Sequence, residues 1–328
     1  MSDMLTISAS PHVKSPLDTG KAMALVLLSL VPTAIASVYL FGLNSLVVIV
    51  TSLVTCVLTE FGCNLIFKKE NTLTDFSAAV TGMLFAFTLP PTTPYWMVII
   101  GGFLAIFLVK QLFGGLGYNV FNPALAARAI LLSSWPVALT TWIAPVNSFT
   151  TFDATTSASV LGILKEAQRG SAADTVTSAS AVAYSYLDLF LGRIPGSLGE
   201  TCKFTLLLGA AVLFFFKIID WRIPSAYIGT VFVLSLLFGR DPLAAMLSGG
   251  LILGAFFMAT DWVTSPTTGA GKLLFGCGCG VLTSLIRSYG GFPEGVCYSI
   301  LFMNCLTPMI EKYVRPRLFG MKKAVANG

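Results

Sequence analysis

The sequence predicts an all-α integral membrane protein of about ten transmembrane helices, arranged as two inverted five-helix repeats with a long outer loop. Three observations predict it. Of the 328 residues, 55% are hydrophobic and 11% charged, less than half the roughly 25% charged share of a soluble domain. Mean hydropathy is +0.83, and the apolar residues fall in runs that approach the ~20 residues needed to cross a hydrocarbon core. Short motifs also recur in the same order in the two halves of the chain.

The apolar runs are read in order as spans. The first five cover 21–42, 44–67, 76–90, 95–113 and 122–142, the third ending in the Pro/Thr-rich turn Pro90 to Pro94. A polar stretch at 144–201, rich in Ser, Thr, Ala and Asp, follows. The second five cover 203–219, 225–238, 242–260, 273–286 and 296–313, and a basic tail closes the chain. This divides the protein into a first membrane repeat (1–143), an outer loop (144–202), a second repeat (203–313) and a cytoplasmic tail (314–328). The first apolar run begins at Lys21 with no short run and small-residue cleavage site before it, so no cleavable signal is expected.

The repeat rests on matched motifs. Phe113-Gly114-Gly115 precedes the fifth span and Tyr289-Gly290-Gly291 the tenth. Gly82 to Thr88 and Gly254 to Thr260 are similar, and each leads into a Pro/Thr-rich break. Five spans is an odd number, so the second half inserts upside down, an arrangement of transporters and channels with function near broken helices.

Orientation follows from basic residues. Of the 20 Lys and Arg, the outer ends hold Lys165, Arg169, Arg193, Lys203, Arg240 and Arg287, and the rest, Arg128 included, fall on the inner side. The positive-inside rule then puts both termini in the cytoplasm and the 144–202 loop outside. The same rule accounts for the formal charge of +5 without a nucleic-acid partner; the chain's surroundings are membrane lipid.

Few side chains suggest chemistry. Glu60 lies inside the second run, where an ionisable group costs about 2.5–3.5 kcal/mol on insertion scales and calls for a partner or a function. Asp261 stands at a helix break, as an interfacial cap or an ion ligand. These two are the candidate ion path. Asp75 reads as an N-cap residue. Cys277-Gly278-Cys279 offers two thiolates where zinc or iron–sulfur sites take four ligands, so packing is the stronger reading and no metal site is assigned. Six of the seven cysteines lie in or beside apolar runs, and no disulfide framework is read. The only histidine is His12. Arg128 is read near the inner end of the fifth span, with a structural role favoured over binding a flavin or phosphate.

The outer loop carries a repeated heptad, D-x-x-T-S-A-S, at Asp153 to Ser159 and again at Asp174 to Ser180. By composition alone it is polar linker. The segment from Asp153 through Leu161 to Leu164-Lys165-Glu166, however, resembles the flavinylation segment of the RnfD family of Rnf electron transport complexes, which is related to a membrane component of the sodium-pumping NADH:quinone reductase. Leu187 to Thr201, Phe121 to Arg128, Asp220 to Pro224 and Asp261 to Pro266 resemble further family segments, in family order.

The resemblance implies FMN held by a phosphoester bond on the last hydroxyl of the heptad. Here that is Ser159, where the family usually has threonine, followed by Val160 in place of proline. Ser180 is the rival acceptor; Ser159 ranks first because Val160 to Lys165 keeps the family spacing. Thr156 lies in the same heptad, and Asp153 would bind a divalent ion or align the acceptor while a flavin transferase acts. The family also implies a second, non-covalent flavin such as riboflavin.

The function implied is that of a membrane component of an ion-translocating ferredoxin:NAD+ oxidoreductase, relaying electrons coupled to Na+ or H+ transport in a bacterial or archaeal cell membrane. Its partners would be the other proteins of the Rnf-type complex, including a second flavoprotein and iron–sulfur proteins. The chain has no G-x-G-x-x-G strand–helix unit and no cysteine cluster of its own, so no complete active site is expected on it. Two other classes fit the residues: a channel or secondary transporter of a small solute without a redox role, and a scaffold whose loop only contacts partners.

Overall fold

A computed structural model describes residues 18–68, 72–145, 156–157, 159–169, 185–291 and 294–314. It is a helical protein, and the one departure among these residues is a two-residue antiparallel pair, β1 (Trp142–Ile143) with β2 (Thr156–Ser157). Three helices are long and apolar enough to cross a membrane: α1 (Thr19–Phe41), α2 (Leu43–Ile66) and α13 (Gly269–Tyr289). The chain is a multi-pass membrane protein by that measure and by its surface.

That surface is inside out relative to a soluble bundle. On α1 and α2, Leu28, Ile35, Leu58 and Leu65 are exposed, while Ser29, Thr33, Ser37, Ser45 and Ser52 are buried. Lipid drives no apolar side chain inward, so helix contacts favour small and hydroxyl residues. Ser52 Oγ donates to the Gly82 carbonyl at 2.7 Å, tying α2 to α3 (Ser77–Phe87).

After α3 the chain breaks through the proline-rich turn into α4 (Tyr95–Leu104), whose last part, Ala105–Gln111, widens into a π-helix. Then α5 (Pro123–Ser134) starts where the Asn122 side chain accepts from the Ala124 and Leu125 amides, with Pro123 at the position that needs no donor. The run read as one span over 122–142 stops at Ser134, because Pro136 has no amide to continue the helix. A short α6 (Pro136–Thr140) follows.

The loop region contributes α7 (Val160–Arg169) and α8 (Tyr186–Leu191). The second half holds α9 (Lys203–Phe215), α10 (Arg222–Leu237), α11 (Pro242–Leu247), α12 (Leu251–Leu253) with its π continuation Gly254–Met258, then α13 and α14 (Val296–Tyr313). The run at 242–260 is therefore two pieces. Gly249 at φ +64° forms the break, a conformation that suits glycine.

Packing follows a common order. α2 lies on α3 and α4, and α10 lies on α13. The first and second halves meet where α1 packs on α9 and α5 on α14. Gly276 and Gly280 allow the α10–α13 approach; an added Cβ would lie 2.7 Å from the Ile223 carbonyl and 2.6 Å from Thr230 Cβ. This is what the Cys277–Cys279 stretch does: Cys279 is buried, Cys277 exposed.

Candidate functional site

At one end of the bundle, Ser159 stands as the residue before α7, and its Oγ accepts from the Gly162 amide at 3.1 Å. It is half-buried. It lines a small pocket of about 20 Å³ shared with Trp142, Glu200, Thr201, Lys203 and Glu294. The pocket has three structural sources. The β1–β2 pair brings Trp142 opposite Ser157, and Ile143 opposite Thr156. The coil before α9 brings Glu200 to Lys203. The turn before α14 brings Glu294.

Charges hold this end together. Arg128 on α5 donates from Nη1 to Glu200 Oε1 at 2.6 Å and from Nη2 to Glu294 Oε2. Lys203 is 1% exposed, and its ammonium donates to the Glu200 carbonyl and to the Thr201 carbonyl at 3.1 Å. Arg287 caps the α11–α12 break, donating to the Ala245 carbonyl at 2.6 Å and the Ser248 carbonyl at 3.1 Å. α7 docks on that break, with Leu161 against Gly249 and the Lys165 ammonium on the Gly290 carbonyl.

Arg128 corrects the sequence reading. It does not lie among the inner-side basic residues; it joins Glu200 and Glu294, both in segments read as outer. The physical reason is that α5 starts inside the protein. Asn122 is 3% exposed and donates to the Met258 carbonyl at 3.3 Å, so the chain has already folded inward before the helix begins. Lys203, read as an outer-end charge, is buried.

The other candidates fall as follows. Thr156 sits in β2, while Asp153 and Ser180 lie outside the described residues. Glu60 is fully buried and paired: Lys110 Nζ lies 2.7 Å from its Oε1, and Thr72 Oγ1 donates to the same oxygen at 3.0 Å. Its Oε2 has no hydrogen-bond partner among the described residues. Lys110 also donates to Ser77 Oγ at 2.6 Å. Asp75 stands one residue before Phe76, the N-cap of α3, in the capping region read from sequence, and accepts from the Ser77 amide at 2.8 Å. Asp261 accepts from Thr264 Oγ1 at 3.0 Å.

Asp261 and Lys110 line one cavity of about 90 Å³ between the halves, bordered by α1, α3, α9 and both π-helical segments. Sequence reasoning missed Lys110, Glu200, Lys203, Arg287 and Glu294. The available signal was a charged residue inside or at the end of an apolar run; only Glu60, Arg128 and Asp261 were weighed on that ground.

Residues 6–320 match the model of the NQR2, RnfD, RnfE family. The chain is 46% identical, over 98% of each chain, to the D component of the proton-translocating ferredoxin:NAD(+) oxidoreductase complex of Clostridium ljungdahlii. It is 43% identical, over 97% of this chain and 96% of the other, to the D component of the Na(+)-translocating ferredoxin:NAD(+) oxidoreductase complex of Acetobacterium woodii. It is 39% identical, over 94% and 93%, to the D component of the ion-translocating oxidoreductase complex of Stutzerimonas stutzeri. With a family match over nearly its whole length and relatives at this identity, the chain belongs to the NQR2, RnfD, RnfE family.

Proposed function

We propose that the chain is the membrane-embedded D component of an ion-translocating ferredoxin:NAD+ oxidoreductase complex and carries FMN on Ser159 through a phosphoester. The complex and its activity come from the names of the relatives. One observation carries the attachment point: Ser159 Oγ stands at the N-terminus of α7 and in the pocket that Lys203 lines. A phosphoryl group on that oxygen meets the positive end of a helix dipole, and Lys203 in the same pocket offsets part of the repulsion from Glu200 and Glu294. The residues therefore fit a phosphoester.

The pocket takes little more than a water molecule, so the bulk of a flavin belongs outside it, on the aqueous rim. Trp142 stands at the pocket wall. A bound flavin supplies one- and two-electron chemistry. The protein's contribution is to fix the acceptor oxygen by docking α7 and to exclude solvent from the attachment point. A flavin transferase is needed for maturation, and a second, non-covalent flavin such as riboflavin is part of the same proposal.

The ten-helix inverted repeat belongs to this reading too, with repeats at 1–143 and 203–313, the loop at 144–202 outside and the tail at 314–328 inside. Two packing relations support it: α1 on α9 and α5 on α14 each pair an element with its counterpart in the other half. A two-fold relation gives such self-matching contacts. The paired π-helices flanking the inter-half cavity support an ion path there, with Asp261 on its wall and Glu60 behind Lys110. The ion stays open between Na+ and H+, since relatives of either kind match.

The test of the attachment is in-gel fluorescence of the denatured chain made with its transferase, followed by mass analysis of the loop peptide. A flavin mass on the peptide containing Ser159 supports the reading. A chain without covalent flavin that takes up a small solute supports the transporter class instead.

A further inference from the structure

Arg128 sits between two carboxyl groups. Its Nη1 is 2.6 Å from Glu200 Oε1, and its Nη2 bonds Glu294 Oε2, so the two acids lie side by side on one guanidinium. The other cations around them point elsewhere. Lys203 donates to the Glu200 and Thr201 carbonyls. Arg287 donates to the Glu294 carbonyl through Nε at 3.1 Å and to the Ala245 and Ser248 carbonyls. Lys165 bonds the Gly290 carbonyl, and Arg240 the Arg287 carbonyl. From α14, the Cys297 thiol faces the Leu125 carbonyl at 3.2 Å. Carboxylates this close oppose each other's ionisation, and a shared proton removes the repulsion.

A second observation comes from the pocket beside them. Thr201 is 1% exposed, lines the same pocket as both acids, and its Oγ1 has no hydrogen-bond partner among the described residues. An orphaned buried hydroxyl is costly. A pocket of about 20 Å³ has room for one water, and a buried water needs two or more polar partners, which the hydroxyl and the acids supply. The two acids also differ in access: the Glu294 side chain is 20% exposed and that of Glu200 4%.

We propose that Glu200 and Glu294 form a proton-binding site, holding one proton between their carboxyl groups and exchanging it with solvent through Glu294 and a water seated on Thr201 Oγ1. The step is acid–base only. An O–H bond forms on one carboxyl oxygen as the donor, a hydrated proton, releases it, and no electron moves. The site uses other residues of the pocket that Ser159 lines, so the same titration in Ser159→Ala reads it with no group attached there. The electrostatics agree: Glu294 is raised to about 7, first by burial and then by Glu200, against the pull of Arg128 and Arg287.

The test is infrared difference spectroscopy of the full chain in its complex, titrated across the neutral range in H2O and D2O. A protonated-carboxyl band is expected that fades as pH rises through about 7 and shifts in D2O. It should vanish in Glu294→Gln and in Glu200→Gln. Thr201→Val keeps every charge, so it guards against a variant that fails to fold; there the band should remain at a shifted frequency. No titrating carboxyl band in the wild-type chain, or one that survives both glutamine variants, overturns the proposal. So does a Thr201→Val band identical to wild type. Loss of the band at fixed pH on adding sodium chloride, but not choline chloride, also overturns it and assigns the site to a metal cation.

Discussion

Arg128 and Glu200 meet at 2.6 Å although they stand 72 positions apart in the chain. The same guanidinium reaches Glu294, 166 positions away. One side chain on α5 thus fastens the coil before α9 and the turn before α14, two of the segments that wall the Ser159 pocket. The proposed attachment point is built on the membrane bundle and not merely tethered to it.

Arg128→Leu leaves two acids without their counter-ion. Breaking a buried ion pair by removing one partner costs about 3–5 kcal/mol. The detergent-solubilised chain should show a clear drop in thermal midpoint, and combining Arg128→Leu with Glu200→Gln and Glu294→Gln should recover part of it. Arg128→Lys should fall between, since an ammonium keeps the charge but not the two-pronged geometry.

The Glu60–Lys110 pair is buried on both sides, at 1% and 2% side-chain exposure. Lys110→Met strands a carboxylate and should destabilise by about 3–5 kcal/mol, whereas Glu60→Gln with Lys110→Met should be close to neutral. A double-mutant cycle on thermal stability measures the coupling. Full ion transport in a folded Glu60→Gln variant would remove Glu60 from the proposed path.

Gly249 is the seat of α7. Its φ is +64°, and an added Cβ would lie 2.8 Å from Leu161 Cδ1. Gly249→Val therefore carries a backbone penalty of about 1–2 kcal/mol and pushes α7 off its dock. Limited proteolysis should cut the loop faster in the variant, with the bundle helices still protected; unchanged cleavage would mean that α7 does not depend on this contact.

Stability should also report Glu294. Its folded-state pKa is raised above the ordinary 4.5, so the folded protein holds the proton more tightly than the unfolded chain. The stabilisation it contributes is complete below about pH 4.5 and is lost as pH rises through about 7. The thermal midpoint should decline over that window, and Glu294→Gln should flatten the decline.

Much of this was legible in the sequence because hydropathy and helix punctuation are local. The runs at 21–42, 44–67 and 296–313 became α1, α2 and α14 within a residue or two. Breaks were legible where proline or glycine forces them, as at Pro90 to Pro94. The split at Gly249 was hidden because Ser248-Gly249-Gly250 sits inside an otherwise apolar run. Ser159 was reached through the resemblance of its segment to a known family, but its pocket was not, because Glu200, Lys203 and Glu294 come from distant segments. Arg128 was misplaced for a related reason. Counting residues along a span assumes a helix that begins at the membrane face, and α5 begins inside the protein.

The most direct test of the account is the flavin on Ser159. Wild type, Ser159→Ala, Ser159→Thr and Ser180→Ala chains, each made with the flavin transferase, are denatured, separated and viewed under ultraviolet light, and the loop peptides are weighed. The account predicts fluorescence and a flavin-bearing peptide in wild type, Ser159→Thr and Ser180→Ala, and none in Ser159→Ala. A Ser159→Ala chain that keeps its covalent flavin, or a wild-type chain that never acquires one, would contradict it.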